Sequence, residues 1–396
     1  MSIQQRFQPL LDQRKQQDLY RSRPLVTSAQ STHMKINGLN VINFSSNDYL
    51  GLANHPQIKN ALIQALQTED TSYGSGAAHL VTGHHLPHHL AEDELANWLE
   101  AERTLLFSTG YTANLAVQQA LMQANDIILA DKLCHASLID GAQHSAATLK
   151  RYPHNDMKAL ERRLEQSKAL QKERGGEILI VTDGVFSMDG DIAPLKEIQA
   201  LAQQYQAWLL VDDAHGLGVL GQQGRGCFEY FGLTPDKNTI LVGTLGKAFG
   251  CSGAFVAGST ILIEALIQFA RPYIYTTAMP PLNAIAIQEA LKLVQNAHAS
   301  RETLTQHIQQ FRKGAQQIGL ALIDSATPIQ AIILKQSKTA MAWSELLKQQ
   351  GFWVTAIRPP TVPNNQARLR ITLSAEHNTK DITQLLNALK NCQIGL

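Results

Sequence analysis

Leu209-Leu210-Val211-Asp212-Asp213-Ala214-His215-Gly216 is an apolar run that stops at two acids, with a histidine and a glycine directly behind them. A strand that is apolar without alternation is covered on both faces, as strands of parallel sheets are. Similar runs stand at 104–107, 127–130, 178–182, 240–242 and 254–257. Between the runs, apolar residues fall at helical spacing over 86–100, 113–122, 135–143, 157–167 and 195–205. Strands alternating with helices predict an open, largely parallel sheet with helices on both faces. Ligands bind such sheets at the carboxyl ends of the strands, and Asp212, Asp213 and His215 fall at that edge.

The pattern changes on either side of this block. Residues 2–20 carry Ile3, Phe7, Leu10, Leu11 and Leu19, an amphipathic helix that runs into the turn Arg21-Ser22-Arg23-Pro24. Short strands are expected at 34–36 and 41–44. After Met279-Pro280-Pro281, two long helices (282–298 and 302–318) precede a strand at 329–334, a helix at 340–349, strands at 353–356 and 368–372 and a last helix at 380–389. This predicts an N-terminal arm (1–45), a large α/β domain (46–281) and a smaller α+β domain (282–396).

Composition narrows the function. Of 396 residues 44% are apolar and 17% charged, which suits packed domains rather than a disordered chain. Lys and Arg number 34 against 33 Asp and Glu, so no whole-protein field draws nucleic acid or an anionic membrane. The polar start has no apolar core of a secretory signal, and no apolar run approaches the ~20 residues that span a bilayer. Cys134, Cys227, Cys251 and Cys392 are far apart and form no CxxC pair, so neither a disulfide framework nor a zinc ribbon is indicated. A cytoplasmic enzyme is expected.

A second segment, Ile240-Leu-Val-Gly-Thr-Leu-Gly-Lys247-Ala-Phe-Gly-Cys-Ser-Gly253, runs from a buried strand into a glycine-rich turn with one lysine. A nucleotide-binding phosphate loop would need Gly at 241 and Ser or Thr at 248, where Leu241 and Ala248 stand. A poorly solvated amine in such a turn can instead attack an aldehyde. Lys247 and Asp212 together fit pyridoxal phosphate, which needs a lysine for its aldehyde and an acid at its ring nitrogen. His215 and Ser187 can reach the phenolic oxygen, His135 can stack on the ring, and Thr244 adds a hydroxyl. Ser108-Thr-Gly110-Tyr111-Thr112 lies between a strand and a helix, where backbone N–H groups hold anions. Each residue alone also has an ordinary capping or turn explanation.

Asn43-Phe-Ser-Ser-Asn-Asp-Tyr-Leu-Gly51, Gly110-Tyr111 and the two segments above resemble the α-oxoamine synthases, fold-type I pyridoxal phosphate enzymes, over nearly the whole chain. The resemblance implies a mostly parallel seven-stranded sheet, a homodimer with shared active sites, and condensation of an amino acid with an acyl thioester with loss of CO2. It assigns the covalent cofactor link to Lys247, the ring nitrogen to Asp212 and the stacking position to His135. Ser187, His215, Thr244, Gly110 and Tyr111 complete the cofactor shell, and Tyr275-Thr276-Thr277 resembles the segment that reaches the partner's phosphate. Asn47 and Arg370 match positions that hold the amino-acid carboxylate, and Arg21 and Thr361 match further substrate positions. The stretch 353–374 is most similar to the branch that uses L-alanine and a pimeloyl thioester, carried on CoA or on a carrier protein. Asp183 departs from that branch, which has Glu there, and matches the glycine-using ligases of the family. Asp212-Asp-Ala-His215-Gly-Leu-Gly218 and Ile357-Arg-Pro-Pro-Thr361 fit the alanine branch better.

Gly83-His84-His85-Leu-Pro-His88-His89 places two histidine pairs four residues apart. Pro87 marks a helix start inside the stretch, so the first pair shares no regular face, and no neighbouring acid completes a site. No metal is expected.

Overall fold

A computed structural model describes residues 1–17 and 19–394. The chain divides into two compact units, one of Asn47–Ser187 and Asp191–Glu302, the other of Met1–Ser46, Met188–Gly190 and Thr303–Leu396. Along the chain, α1 (Ile3–Gln16), β1 (His33–Ile36), β2 (Leu39–Asn43), α2 (Pro56–Leu66) and α3 (Leu86–Leu99) come first. Then follow β3 (Arg103–Phe107), α4 (Gly110–Leu121), β4 (Ile127–Asp131), α5 (Ala136–His144), β5 (Thr148–Tyr152), α6 (Met157–Arg174), β6 (Ile178–Asp183) and α7 (Leu195–Gln204). β7 (Trp208–Asp212), α8 (Cys227–Phe231), β8 (Thr239–Thr244), β9 (Ala254–Gly258), α9 (Thr260–Phe269), α10 (Arg271–Ile274) and α11 (Pro281–Gln295) continue the larger unit. α12 (His298–Gln317) leads to β10 (Ile329–Lys335), α13 (Ser337–Gln349), β11 (Phe352–Trp353), β12 (Thr355–Ile357), β13 (Ala367–Thr372) and α14 (Thr379–Ile394).

The larger unit is built on the expected seven-stranded sheet, in the order β3-β9-β8-β7-β6-β4-β5. β5, β4, β6, β7 and β8 are parallel, and β9 runs antiparallel to both β8 and β3. Leu105, Ile128, Leu179, Val181, Leu210, Val242 and Val256 form the core with Val117 and Leu138 from the covering helices. Burying each such side chain contributes about 1.5–3 kcal/mol relative to exposure, which is why these strands read as unbroken apolar runs. Because β4, β6, β7 and β8 are parallel, the loops after them open at one edge of the sheet, where His135, Ser187, Asp212, His215 and Lys247 lie.

The smaller unit holds two three-stranded sheets, β1-β2-β11 and β10-β13-β12. The strand expected at 353–356 is split between them. Phe352 and Trp353 pair in parallel with β2, whereas Thr355–Ile357 pair antiparallel with β13.

The N-terminal helix ends at Gln16, short of the expected residue 20, and residue 18 lies outside the described residues. Ser2 and Gln5 form its capping box, and none of its residues is buried. The unit boundary also differs from the expected residue 281. α11 turns Ala284, Ile287, Leu291 and Val294 inward and packs against α2 and α3, so the larger unit extends to Glu302. The arm expected at 1–45 belongs to the smaller unit through the pairing of β2 with β11.

Candidate active site

Asp212 ends β7 and is 6% exposed. Its Oδ2 accepts from Asn114 Nδ2 at 2.6 Å and its Oδ1 from the Ala214 N–H at 3.1 Å. The neighbouring Asp213 points the other way, into the fold, where it accepts from the Cys227 N–H at 2.6 Å and faces the Cys227 thiol at 3.0 Å. Burial pushes the Asp213 carboxyl up to about 7. The glycine after His215 follows from this packing, because a Cβ on Gly216 would collide with Asp213 Oδ1. Of the two acids quoted at the outset, only Asp212 bonds to Asn114 at the strand ends, while Asp213 is engaged by Cys227.

Asn114 lies one turn into α4, and its second amide proton goes to Ser137 Oγ at 2.9 Å. Ser137 Oγ is 2.7 Å from His135 Nδ1, and the His135 backbone N–H donates to Asp183 Oδ2 at 2.8 Å. Asp183 ends β6 and pairs in register with Asp212, so two acids sit side by side on the sheet edge. Burial, with the Asp212 charge adding to it, holds the Asp183 carboxyl well above the ordinary range. His135 keeps one open face, yet desolvation lowers its proton affinity. The Asp212 carboxylate opposes that shift and the Lys247 cation adds to it.

Lys247 is half-buried in the turn after β8, with Nζ 2.8 Å from His215 Nε2. His215 Nδ1 lies 2.6 Å from the Tyr49 hydroxyl, which donates to Asn47 Oδ1 at 3.2 Å. The turn is closed by Gly250, whose φ of +64° favours glycine and whose Cβ would collide with the Ala53 backbone. At the start of α4, Thr109 Oγ1 caps the Thr112 N–H at 3.1 Å, and the first-turn N–H groups of Gly110 and Tyr111 have no intrahelical partner. A Cβ on Gly110 would stand 3.9 Å from Thr244 Oγ1, so the helix terminus and this hydroxyl face one space.

The fold thus brings Lys247, His215, Asn47, Asp212, His135, Gly110 and Thr244 into one unit on the strand-end side. Ser187 lies half-buried in the hairpin after β6. Tyr111 is exposed, and its hydroxyl donates to Asp140. Thr276 and Thr277 follow α10, where Thr277 bridges to Ala78. Arg370, Arg21 and Thr361 belong to the smaller unit. Arg370 is buried on β13 opposite Ala331 and Thr355, whereas Arg21 and Thr361 are exposed. Tyr49, Asn114 and Ser137 were missed as site residues. Tyr49 stood inside the quoted 43–51 motif, and Asn114 falls four residues after Gly110, on the same helix face.

α3 starts at Leu86, as Pro87 predicts, but the expected separation of the first pair does not hold, because His84 and His88 stack with ring centroids 5.7 Å apart. Among the described residues, His79, His84 and His88 gather with nitrogens within 4.8 Å. His88 is fully engaged: Nδ1 accepts from the His85 N–H at 3.0 Å, and Nε2 donates to the Met279 carbonyl at 2.8 Å. Burial lowers His79 to about 4, and His79 stacks on Tyr273. His79 Nδ1 and His84 Nδ1 lie 3.0 Å apart.

Residues 40–389 match the family model of class I and II aminotransferases. The chain belongs to that family. It is 66% identical, over 99% of its length and 97% of the relative's, to 8-amino-7-oxononanoate synthase of Hydrogenovibrio crunogenus. A serine palmitoyltransferase variant from S. paucimobilis, solved with a PLP–myriocin aldimine, is 29% identical with a TM-score of 0.92, covering 100% of this chain and 99% of that one. The 8-amino-7-oxononanoate synthase of Francisella tularensis is 33% identical with a TM-score of 0.75, covering 90% of this chain and 98% of that one.

This aminotransferase-family chain is a pyridoxal phosphate-dependent acyltransferase, and its residues fit the cofactor. Asp212 is held by N–H donors on both oxygens, which leaves a carboxylate suited to a protonated ring nitrogen. The α4 terminus and Thr244 offer N–H and O–H donors to a phosphate. Lys247 presents a primary amine braced by His215.

Proposed function

We propose that this chain joins L-alanine to a pimeloyl thioester of CoA or carrier protein, releasing CO2 and the thiol and giving 8-amino-7-oxononanoate for biotin biosynthesis. The observation that carries the reading is the convergence of Lys247 and Asp212 on His135 at the strand ends, in a chain 66% identical to a relative of that activity. Bound pyridoxal phosphate supplies a heterocycle that withdraws electrons from Cα of the amino acid.

Lys247 provides the amine that anchors the cofactor's aldehyde. The same Nζ, when not holding the cofactor, would be the base that takes the proton from Cα of alanine and returns one. His215, braced by Tyr49, orients Nζ for both tasks. Asp212 sustains positive charge at the ring nitrogen, and His135 packs over the ring. Gly110, Tyr111 and Thr244 hold the phosphate, and Ser187 with His215 holds the phenolic oxygen. Arg370 grips the alanine carboxylate, since a guanidinium fixes a carboxylate by two parallel hydrogen bonds. Asn47 assists it, and Arg21 and Thr361 bind the acyl substrate.

A homodimer belongs to the proposal, with Thr276 and Thr277 of one protomer serving the phosphate in its partner. The exposed Tyr73 (81%), Val81 (74%) and Tyr275 (72%) support it, because large apolar side chains in such numbers suit a protein interface. Four free cysteines suit a reducing, cytoplasmic compartment.

Borohydride reduction of the yellow holoprotein followed by peptide mapping is the test. A pyridoxyl label on Lys247, with an absorbance change on adding alanine in preference to glycine or serine, is expected. A label elsewhere, or a response to glycine alone, overturns the reading.

A further inference from the structure

The contacts of Asp212, Asn114, Ser137 and His135 have a direction. Asn114 Nδ2 has two protons and two acceptors, Asp212 Oδ2 at 2.6 Å and Ser137 Oγ at 2.9 Å. The amide cannot be turned over, because Oδ1 would then face a carboxylate oxygen. The orientation has a visible cost: among the described residues, Asn114 Oδ1 is a buried acceptor without a hydrogen-bond partner. Ser137 Oγ accepts from Asn114 and lies 2.7 Å from His135 Nδ1, so its proton is free to go to a ring nitrogen that already accepts elsewhere. The Ser137 backbone N–H also points at Nδ1, at 3.3 Å. A nitrogen that receives two donors carries no proton of its own, so the ring proton belongs on Nε2.

We infer that Asn114 and Ser137 are positioning residues that carry the orientation of Asp212 to His135 and fix it as the neutral imidazole protonated on Nε2. The consequence rests on the reading that His135 stacks on the cofactor ring. A ring kept cationic by Asp212 would be repelled by an imidazolium, and the relay withholds Nδ1 from protonation. One acid therefore sets both partners of the stack. The other groups around His135 are Asp183 at the end of β6, Asp140 on α5, Lys247 after β8, and Tyr111 on α4, whose ring stands edge-on at 6.5 Å. The Asp212 carboxylate and Asp140 favour the charged form, so without the relay His135 would protonate more readily.

Nitrogen-15 histidine labelling of the holoenzyme, read by long-range nitrogen–proton correlation with His135→Gln for assignment, tests this directly. The wild-type ring is expected to show a bare Nδ1 and a protonated Nε2 from about pH 6 to 9. In Ser137→Ala the second tautomer should appear and the midpoint of His135 titration should rise by about half to one unit, the size expected for one hydrogen bond. Ser137→Thr, which keeps the hydroxyl, should restore the wild-type pattern. A wild-type Nδ1–H, or a Ser137→Ala spectrum unchanged at His135, overturns the inference whatever the variants do to folding. Borohydride labelling of Lys247 in the same sample separates this outcome from failure of the functional reading.

Discussion

The side-chain nitrogen of Lys247 lies 2.8 Å from Nε2 of His215. With the ammonium donating to Nε2, Nδ1 carries the ring proton toward the Tyr49 hydroxyl, and that hydroxyl donates onward to Asn47. The three contacts run in one direction, from the Lys247 amine to Asn47. Tyr49→Phe removes the middle member from a fully buried position while keeping its ring. We expect kcat to fall about 5- to 20-fold, the worth of one to two buried hydrogen bonds, with unchanged far-ultraviolet circular dichroism. Steady-state kinetics at saturating alanine decides it, and activity within twofold of wild type would remove His215 from the account of Lys247.

Arg370 is buried on a central strand of its sheet, where its length and direction are set by the pairing of Ala331 and Thr355 on either side. If it grips the alanine carboxylate, Arg370→Lys keeps the charge and loses the planar fork. The expected result is a KM for alanine raised about tenfold or more, with the KM for the thioester within twofold. An equal rise in both would place Arg370 elsewhere in the mechanism.

His154 bridges Asp131 at the end of β4, with Nδ1 at 3.0 Å, and Asp191 at the foot of the Ser187 hairpin, with Nε2 at 2.8 Å. Burial alone would lower its proton affinity, but the two carboxylates outweigh it and lift the group to about 9. The folded value lies above the ordinary 6.5, so the stabilisation is complete below pH 6.5 and is lost as pH rises through about 9. Wild type and His154→Gln should therefore differ most in urea midpoint near pH 6 and converge above about pH 9.5. A gap that is constant with pH would mean that His154 acts by packing alone.

What could be seen in the sequence follows from how each feature is enforced. β6, β7 and β8 are buried on both faces, so their residues must be apolar and the runs stand out. Among the described residues β5 sits at the sheet edge, pairs only with β4 and shows Lys150 and Arg151, so the run Thr148–Tyr152 carried no such signature. The placement of Lys247, Asp212 and His215 at the strand ends was legible because each polar residue follows closely on an apolar run. Asn114 and Ser137 were not, because their role depends on α4 lying against α5, and neither type is unusual on a helix. The split of β11 from β12 was hidden for a related reason: the two halves belong to different sheets, which only the pairing partners reveal.

Arg368 and Asp189 form an ion pair within the smaller unit, and Arg368 is only 2% exposed. Its Nε also donates to the Gln366 carbonyl at 3.0 Å, so the guanidinium is held in place before Asp189 is counted. Two charges out of water cost several kcal/mol each, and their attraction offsets that cost only while both are present. Arg368→Met should consequently destabilise the chain by about 3–5 kcal/mol, since Asp189 is left charged with little access to water. Arg368→Met combined with Asp189→Leu removes both charges and should recover at least half of the loss. Urea denaturation of the two variants beside wild type separates the possibilities. A double variant as unstable as the single one would show that the pair contributes net stability, through its place between β13 and the 188–190 turn, rather than merely cancelling its own burial.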